Sequence, residues 1–237
     1  MFRLVAIAAV AAATAVLAAV ALAAQSPKEL RATIFATAKK QHSLHYVERD
    51  SAAGLHQTMV ADISGRRGVQ RISFTLNGNG RSAKGQFTVR VVEPRVYFRA
   101  DKVAMQDYLG FTAAQAAAYH DKWIVVPPGQ HLYKALATAV TMSSFLHEIY
   151  PSAPLAFVKT TIGGRKYTGV RGTNDTEGGG FKFVQSVFPD SKMRPFAVSA
   201  VDRGKGFVSA VKISRWSQAV HVTAPTGAVP LTSVQAV

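Results

Sequence analysis

Hydrophobic and polar residues alternate with a period of two over much of this chain, and fall into helical spacing at only a few places. Ile72, Phe74 and Leu76 share one parity, while Arg71, Ser73 and Thr75 share the other. Phe87, Val89 and Val91 oppose Gln86, Thr88 and Arg90 in the same way. One apolar and one polar face predict antiparallel strands with a single side in water. Strand-length runs before residue 100 cover 44–48, 56–63, 69–76, 84–92 and 95–99. Gly65-Arg66-Arg67-Gly68 and Asn77-Gly78-Asn79-Gly80 separate them with residues that tolerate positive φ, which makes the region a meander.

The pattern shifts to helical spacing on either side of this meander. Ser26-Pro27-Lys28-Glu29 carries an N-cap, a proline at the first helical position and a capping-box glutamate. Leu30, Ile34, Phe35 and Ala38 then recur on one face as far as about residue 40. In the middle of the chain, 101–109 suits a short helix, and Thr112-x-x-Gln115 caps another through residue 119. Residues 123–126 read as a short apolar strand, and helical stretches follow at 131–139 and 143–149. Strands return at 157–162, 166–171, 181–188, 196–201 and 207–214, with an edge piece at 219–222. The tail from Pro225 reads as loose. The predicted class is α+β: one curved antiparallel sheet of about ten strands, its apolar side covered by helices.

The first residues say where the chain works. Arg3, an apolar run over 4–22 and the small residues Ala21 and Ala23 predict a signal peptide at 1–24, cleaved before Ala24 or Gln25. An uncleaved membrane anchor is the rival, since about 20 apolar residues span a bilayer. Both readings put residues 25–237 outside the cytoplasm, as one domain over 25–224 and a loose tail over 225–237.

Charge narrows the partners. The chain holds 28 Lys+Arg against 13 Asp+Glu, a formal net charge of +15. An exported basic protein meets an anionic membrane surface, wall polymers and acidic glycolipids. The basic residues are dispersed through turns and alternating strand positions, without a dense block interleaved with aromatics, so no nucleic acid partner is predicted. The absence of cysteine excludes thiolate metal sites, cysteine nucleophiles and a lipid attached through an N-terminal cysteine.

Catalytic and metal motifs find little support. His42 and His45 stand three apart on a strand, hence on opposite faces, and His56 does not complete a ligand set. Asn174-Asp175-Thr176-Glu177-Gly178 lacks the spacing of a calcium loop and suits a polar hairpin turn. No nucleophile elbow, phosphate loop or zinc-protease motif occurs, and no pair of carboxylates stands out. No enzyme activity, metal or cofactor is predicted. Phe74, Phe87, Phe98, Phe181, Phe183, Phe196 and Phe207 mostly occupy alternating strand positions. They suit either a solid core or a hydrophobic cavity between sheet and helices.

The segment Arg95-Val96-Tyr97-Phe98-Arg99-Ala100-Asp101, the alanine-rich helix after it, Lys122-Trp123-Ile124-Val125-Val126-Pro127 and Leu132-Tyr133 carry a resemblance. Together they resemble actinobacterial secreted and lipid-anchored envelope proteins of the LppX/LprG type, within the LolA-like group. The resemblance implies a half-open antiparallel barrel with inner helices, holding a lipid or lipoprotein acyl chain. In that picture Phe74, Phe87, Phe98, Trp123, Phe145 and Ile149 contribute to the pocket, Trp123 is largely buried, and the helix bearing Phe145 covers Phe74 and Phe87. The lipoproteins carry a cysteine just after the signal, where this chain has Ala24-Gln25-Ser26. The function expected is non-catalytic binding or transport of a lipid, glycolipid or lipidated molecule. The alternative is an RseB-like sensor or adaptor for a protein partner.

Overall fold

The computed structural model describes residues 25–78, 80–175, 182–202 and 206–235. The expected signal peptide lies outside these residues, as do Phe181 and most of the turn proposed at 174–178. The chain opens with α1 (Pro27–Lys39), whose capping box is formed as predicted. The Ser26 hydroxyl accepts from the Glu29 amide at 3.3 Å, and the Glu29 carboxylate accepts from the Ser26 amide at 2.7 Å. Leu30, Ile34, Phe35 and Ala38, the four residues with helical spacing, are the ones α1 buries.

The meander follows as β1 (Ser43–Ala52), β2 (Leu55–Ser64), β3 (Arg67–Gly78), β4 (Arg81–Val92) and β5 (Arg95–Ala100). A wide π-helical turn, Ala104–Tyr108, stands where a short helix was expected. Then come α2 (Ala113–Tyr119), β6 (Ile124–Val126), α3 (His131–Ala137) and α4 (Met142–Glu148). The second half holds β7 (Ser152–Ile162), β8 (Arg165–Asp175), β9 (Lys182–Pro189), β10 (Pro195–Asp202) and β11 (Phe207–Ser214). The chain ends in β12 (Val229–Pro230) and α5 (Leu231–Gln235).

All these strands form one open sheet in the order β12-β6-β5-β4-β3-β2-β1-β11-β10-β9-β8-β7. Neighbours are antiparallel except β12 and β6. The fold is therefore the curved, helix-covered α+β sheet that the alternation predicted. β11 returns to pair with β1, which joins the two meanders into one surface. The concave side carries two buried clusters. Ile72, Phe74, Phe87, Val89 and Phe98 pack with Met105, Phe111 and Leu136 in one. Leu30, Ile34, Tyr46, Phe145, Val187 and Val211 belong to the other. Two glycines make room for close packing on this face. A Cβ at Gly85 would collide with the Phe74 ring, and one at Gly68 with the Val140 carbonyl.

Three expectations need correction. The tail beyond Pro225 is docked: the Val229 amide donates to the Trp123 carbonyl at 2.8 Å, and Leu231 and Val234 are fully buried. Their spacing of three places both on one helical face against the sheet. Residues 219–222 form no strand, although Val222 is buried. Trp123 lies just before β6 and is half-buried rather than enclosed. Ile124 and Val126 point into the core, so period two turns Trp123 and Val125 outward. The Arg90 guanidinium covers the indole at 4.6 Å from the ring centroid.

Candidate functional site

Between the two clusters the concave face is not filled. A hollow of about 420 Å³ remains, with a floor of strand residues and a cover of helix residues. Met59, Ile72, Phe87 and Val89 line it from the first meander, and Val198, Ala200 and Val211 from the second. Leu109, Leu132, Leu136, Phe145 and Ile149 close it from above. Its size falls within the range of roughly 300–1,000 Å³ found for small-molecule sites. A second cleft of about 720 Å³ opens beside it at the sheet rim and includes Asp50, Gln57, Phe74 and Gly85.

Sheet register explains the chemistry of the floor. One transverse row reads Val170, Val187, Val198, Val211, Glu48, Met59, Ile72, Phe87 and Ala100. Glu48 is the charged member of this otherwise apolar row. The next row toward the rim reads Gln185, Ala200, Ser209, Asp50, Gln57, Phe74 and Gly85. A polar band therefore crosses the middle of an apolar surface. The strand expected over 44–48 stops short of Asp50, so this band is not visible in the alternation.

Hydrogen bonds hold this band in place. The Ser209 hydroxyl donates to Glu48 Oε1 at 3.0 Å, and Gln57 Nε2 donates to Asp50 Oδ2 at 2.6 Å. The Tyr108 hydroxyl donates to Gln57 Oε1 at 2.9 Å, and its ring lies 4.9 Å from Phe74 and 5.0 Å from Phe87. Tyr108 thus stands between the hollow and the rim cleft. Asp101 fixes the turn that carries it, accepting from the amides of Ala104 and Gln86, each at 2.7 Å. On the other side, Gln185 Nε2 donates to the Glu148 carbonyl at 3.0 Å, and the Asn174 amide group donates to the same carbonyl. Removal from water pushes the Glu48 carboxyl up to about 8, and the neighbouring Asp50 charge pushes the same way. Burial also raises the Tyr46 and Tyr108 hydroxyls, reinforced by these acids.

The expected pocket residues separate into groups. Phe87, Phe145 and Ile149 line the hollow together. Phe74 lines the rim cleft on the far side of Tyr108. Phe98 is wholly buried and stacks on Phe111 at 5.9 Å, inside solid core. Trp123 does not line the hollow and lies in a groove of the convex face with Arg71, Arg90 and Arg99. The cover over Phe74 and Phe87 is Tyr108 rather than the helix of Phe145, which stacks on Tyr46.

Little here resembles a catalytic arrangement. Ser51 Oγ lies 3.1 Å from His56 Nδ1, but no carboxylate orients that ring among the described residues. His45 Nδ1 contacts Asp62 Oδ1 at 2.9 Å and also meets Arg215, so it belongs to a surface ion cluster. Among the described residues no three His, Asp or Glu gather as a metal would require, and no helix is long and apolar enough to cross a membrane.

No protein-family model matches the chain, and no curated protein matches it. Among solved structures it is similar to lipoprotein LppX of Mycobacterium tuberculosis, at 16% identity over 84% of this chain and 100% of that one, with TM-score 0.46. It is similar also to MucB, solved in complex with MucA, at 12% identity over 87% of this chain and 61% of that one, with TM-score 0.41. A DUF1329 family protein from Desulfovibrio piger is similar at 10% identity over 84% of this chain and 96% of that one, with TM-score 0.27. These are likenesses of fold.

Proposed function

We propose that this chain is a non-catalytic envelope protein that holds the acyl part of a lipid, glycolipid or lipidated molecule in the hollow of its sheet. One observation carries the reading: the space between the two core clusters is lined mostly by apolar side chains and is not filled by them. Protein interiors are close-packed, so a space of this size costs stability unless something occupies it. An acyl chain suits it. Each methylene gains about 0.8 kcal/mol on leaving water, and a chain of about 16 carbons gains roughly 12 kcal/mol gross. The leader expected over 1–24 supports an activity outside the cytoplasm, and the actinobacterial LppX/LprG resemblance belongs to the same reading. Native mass spectrometry of gently purified protein tests it. A bound amphiphile that leaves on denaturation is expected, and a ligand-free mass from native membranes contradicts the reading.

A second reading rests on the sheet edge. β7 is terminal in the strand order, is eleven residues long and leaves Phe157 42% exposed. Such an edge accepts an added strand from a protein partner, as a sensor or adaptor requires. A lipid-free chain captured with one envelope protein would favour this role.

A further inference from the structure

At one end of the sheet β1, β3, β8 and β10 finish and β2, β4, β9 and β11 begin, and across β9 to β11 this end is apolar on both faces. On the convex face Val184, Val201 and Val208 are register neighbours on β9, β10 and β11. Val184 is 47% and Val208 49% exposed, more than any other large hydrophobic side chain among the described residues. On the concave face Phe183 and Phe207 flank Asp202, with their rings 4.8 Å apart. Leu55 and Leu76 pair farther along the same edge, and all four of these residues remain partly in water.

The hollow reaches this edge, because Phe183 and Phe207 belong to its lining. Single exposed apolar side chains are ordinary on a surface, but a contiguous set at the mouth of a ligand space marks a contact site. The flank is basic. Val208 shares the rim cleft with Arg49 and Lys84, both exposed and neither within ion-pair distance of a carboxylate among the described residues. Of the acids in that cleft, Asp50 is buried and Asp101 is engaged by the amides of Ala104 and Gln86. Apolar strand ends beside unpaired cations match a bilayer surface, where anionic head groups lie directly over acyl chains.

We propose that this edge docks the protein on an anionic phospholipid bilayer, with Val184 and Val208 entering the head-group region and the mouth at Phe183 and Phe207 held against the acyl layer. The inference rests on the reading of the hollow as an acyl site and adds the surface with which that site exchanges its ligand. Docking removes the aqueous step. Each methylene carried through water lowers the concentration of free ligand about fourfold, so a long chain exchanges quickly only where hollow and bilayer touch. Phe157 provides an internal comparison: it is 42% exposed, but it stands on the edge strand β7 and does not line the hollow.

The chain has no cysteine, so Val208→Cys and Phe157→Cys each accept a single environment-sensitive label such as NBD. Vesicles of phosphatidylcholine and phosphatidylglycerol in equal parts are then added in high salt, which screens the general positive charge of the chain. The label at 208 should brighten and shift to the blue, and the label at 157 should not. Flotation with the same vesicles should weaken at least about tenfold in the double variant Val184→Gln and Val208→Gln, and stay unchanged in Phe157→Gln. Thermal melts establish that the variants are folded. Equal responses at 208 and 157, or unchanged flotation of the folded double variant, overturn the inference. A response at 208 that needs no vesicles and grows with protein concentration assigns the edge to a second copy of the chain and overturns it too. Uptake of Nile red in vesicle-free solution reports on the hollow separately. Dye uptake without a vesicle response at 208 overturns docking alone, and a vesicle response without dye uptake overturns the acyl reading while the docking edge stands.

Discussion

Tyr46 and Phe145 stack across the boundary between sheet and helix, with ring centroids 4.4 Å apart and planes 18° apart. The Tyr46 hydroxyl donates to the Ala139 carbonyl at 3.0 Å and accepts from Gln70 Nε2 at 2.6 Å. This contact fixes α4 over the hollow, so Phe145 acts as wall and as core at once. Phe145→Ala should cost about 3–5 kcal/mol in a urea melt. Tyr46→Phe keeps the stacking and removes the hydroxyl, at about 1–3 kcal/mol. A change below 1 kcal/mol, roughly the net value of one hydrogen bond, for Phe145→Ala would mean that α4 is not held by this stack.

Glu48 makes stability depend on pH in a direction opposite to that of most carboxylates. Its folded-state value of about 8 lies above the ordinary 4.5, because burial and Asp50 penalise the charge. Glu148 faces it from α4 and adds in the same sense, while the Ser209 hydroxyl partly offsets them. The folded state therefore holds a proton that the unfolded chain has released. Stability from this group is fully present below about 4.5, falls as pH rises toward about 8, and is lost above it. Glu48→Gln should flatten that slope and raise the melting temperature at alkaline pH. Parallel slopes in parent and variant would contradict the assignment.

Trp123 stands outside the ligand path. Its replacement by Ala removes an Arg90–indole contact on the convex face, and should cost about 0.5–1 kcal/mol. Acyl uptake should be unchanged. Lost uptake with an unaltered melt would place the ligand against the outer groove instead.

Leu231 and Val234 predict a structural tail. Leu231→Ala should destabilise the protein by about 2–5 kcal/mol in denaturant titration, although it lies within seven residues of the C-terminus. A loose tail would give no change.

Alternation and capping carried most of the architecture. Leu30, Ile34, Phe35 and Ala38 are buried as their helical spacing required, and Ile72, Phe74, Phe87, Val89 and Val91 as strand parity required. The failures have physical causes. Glu48 and Asp50 share the parity of Leu44 and Tyr46 and so lie on the buried face, but two acids interrupt the apolar alternation that marks a strand. The alternation therefore marks only 44–48 of a strand that runs from Ser43 to Ala52. Its place at the start of an apolar strand and in the resembling segment points Trp123 inward, whereas the parity of Ile124 and Val126 turns it outward. Tyr108 reaches Phe74 and Phe87 from a π-helical turn, and no periodic pattern announces that geometry. Contacts among residues far apart in the chain, such as Glu48 with Ser209, become visible only once β11 returns to β1.

The central claim is that the hollow is a ligand space rather than an imperfection of the core. Ala200 projects a small side chain into it from β10, so Ala200→Phe adds volume where the account says there is room. Titration of a fluorescent acyl probe into parent and variant measures this directly. The account predicts saturable uptake by the parent, weakened by at least about tenfold in Ala200→Phe, with the melt unchanged, whereas overpacking a filled core would cost roughly 1–3 kcal/mol. A parent that takes up no probe, or a variant that unfolds while parent and probe never associate, would contradict it.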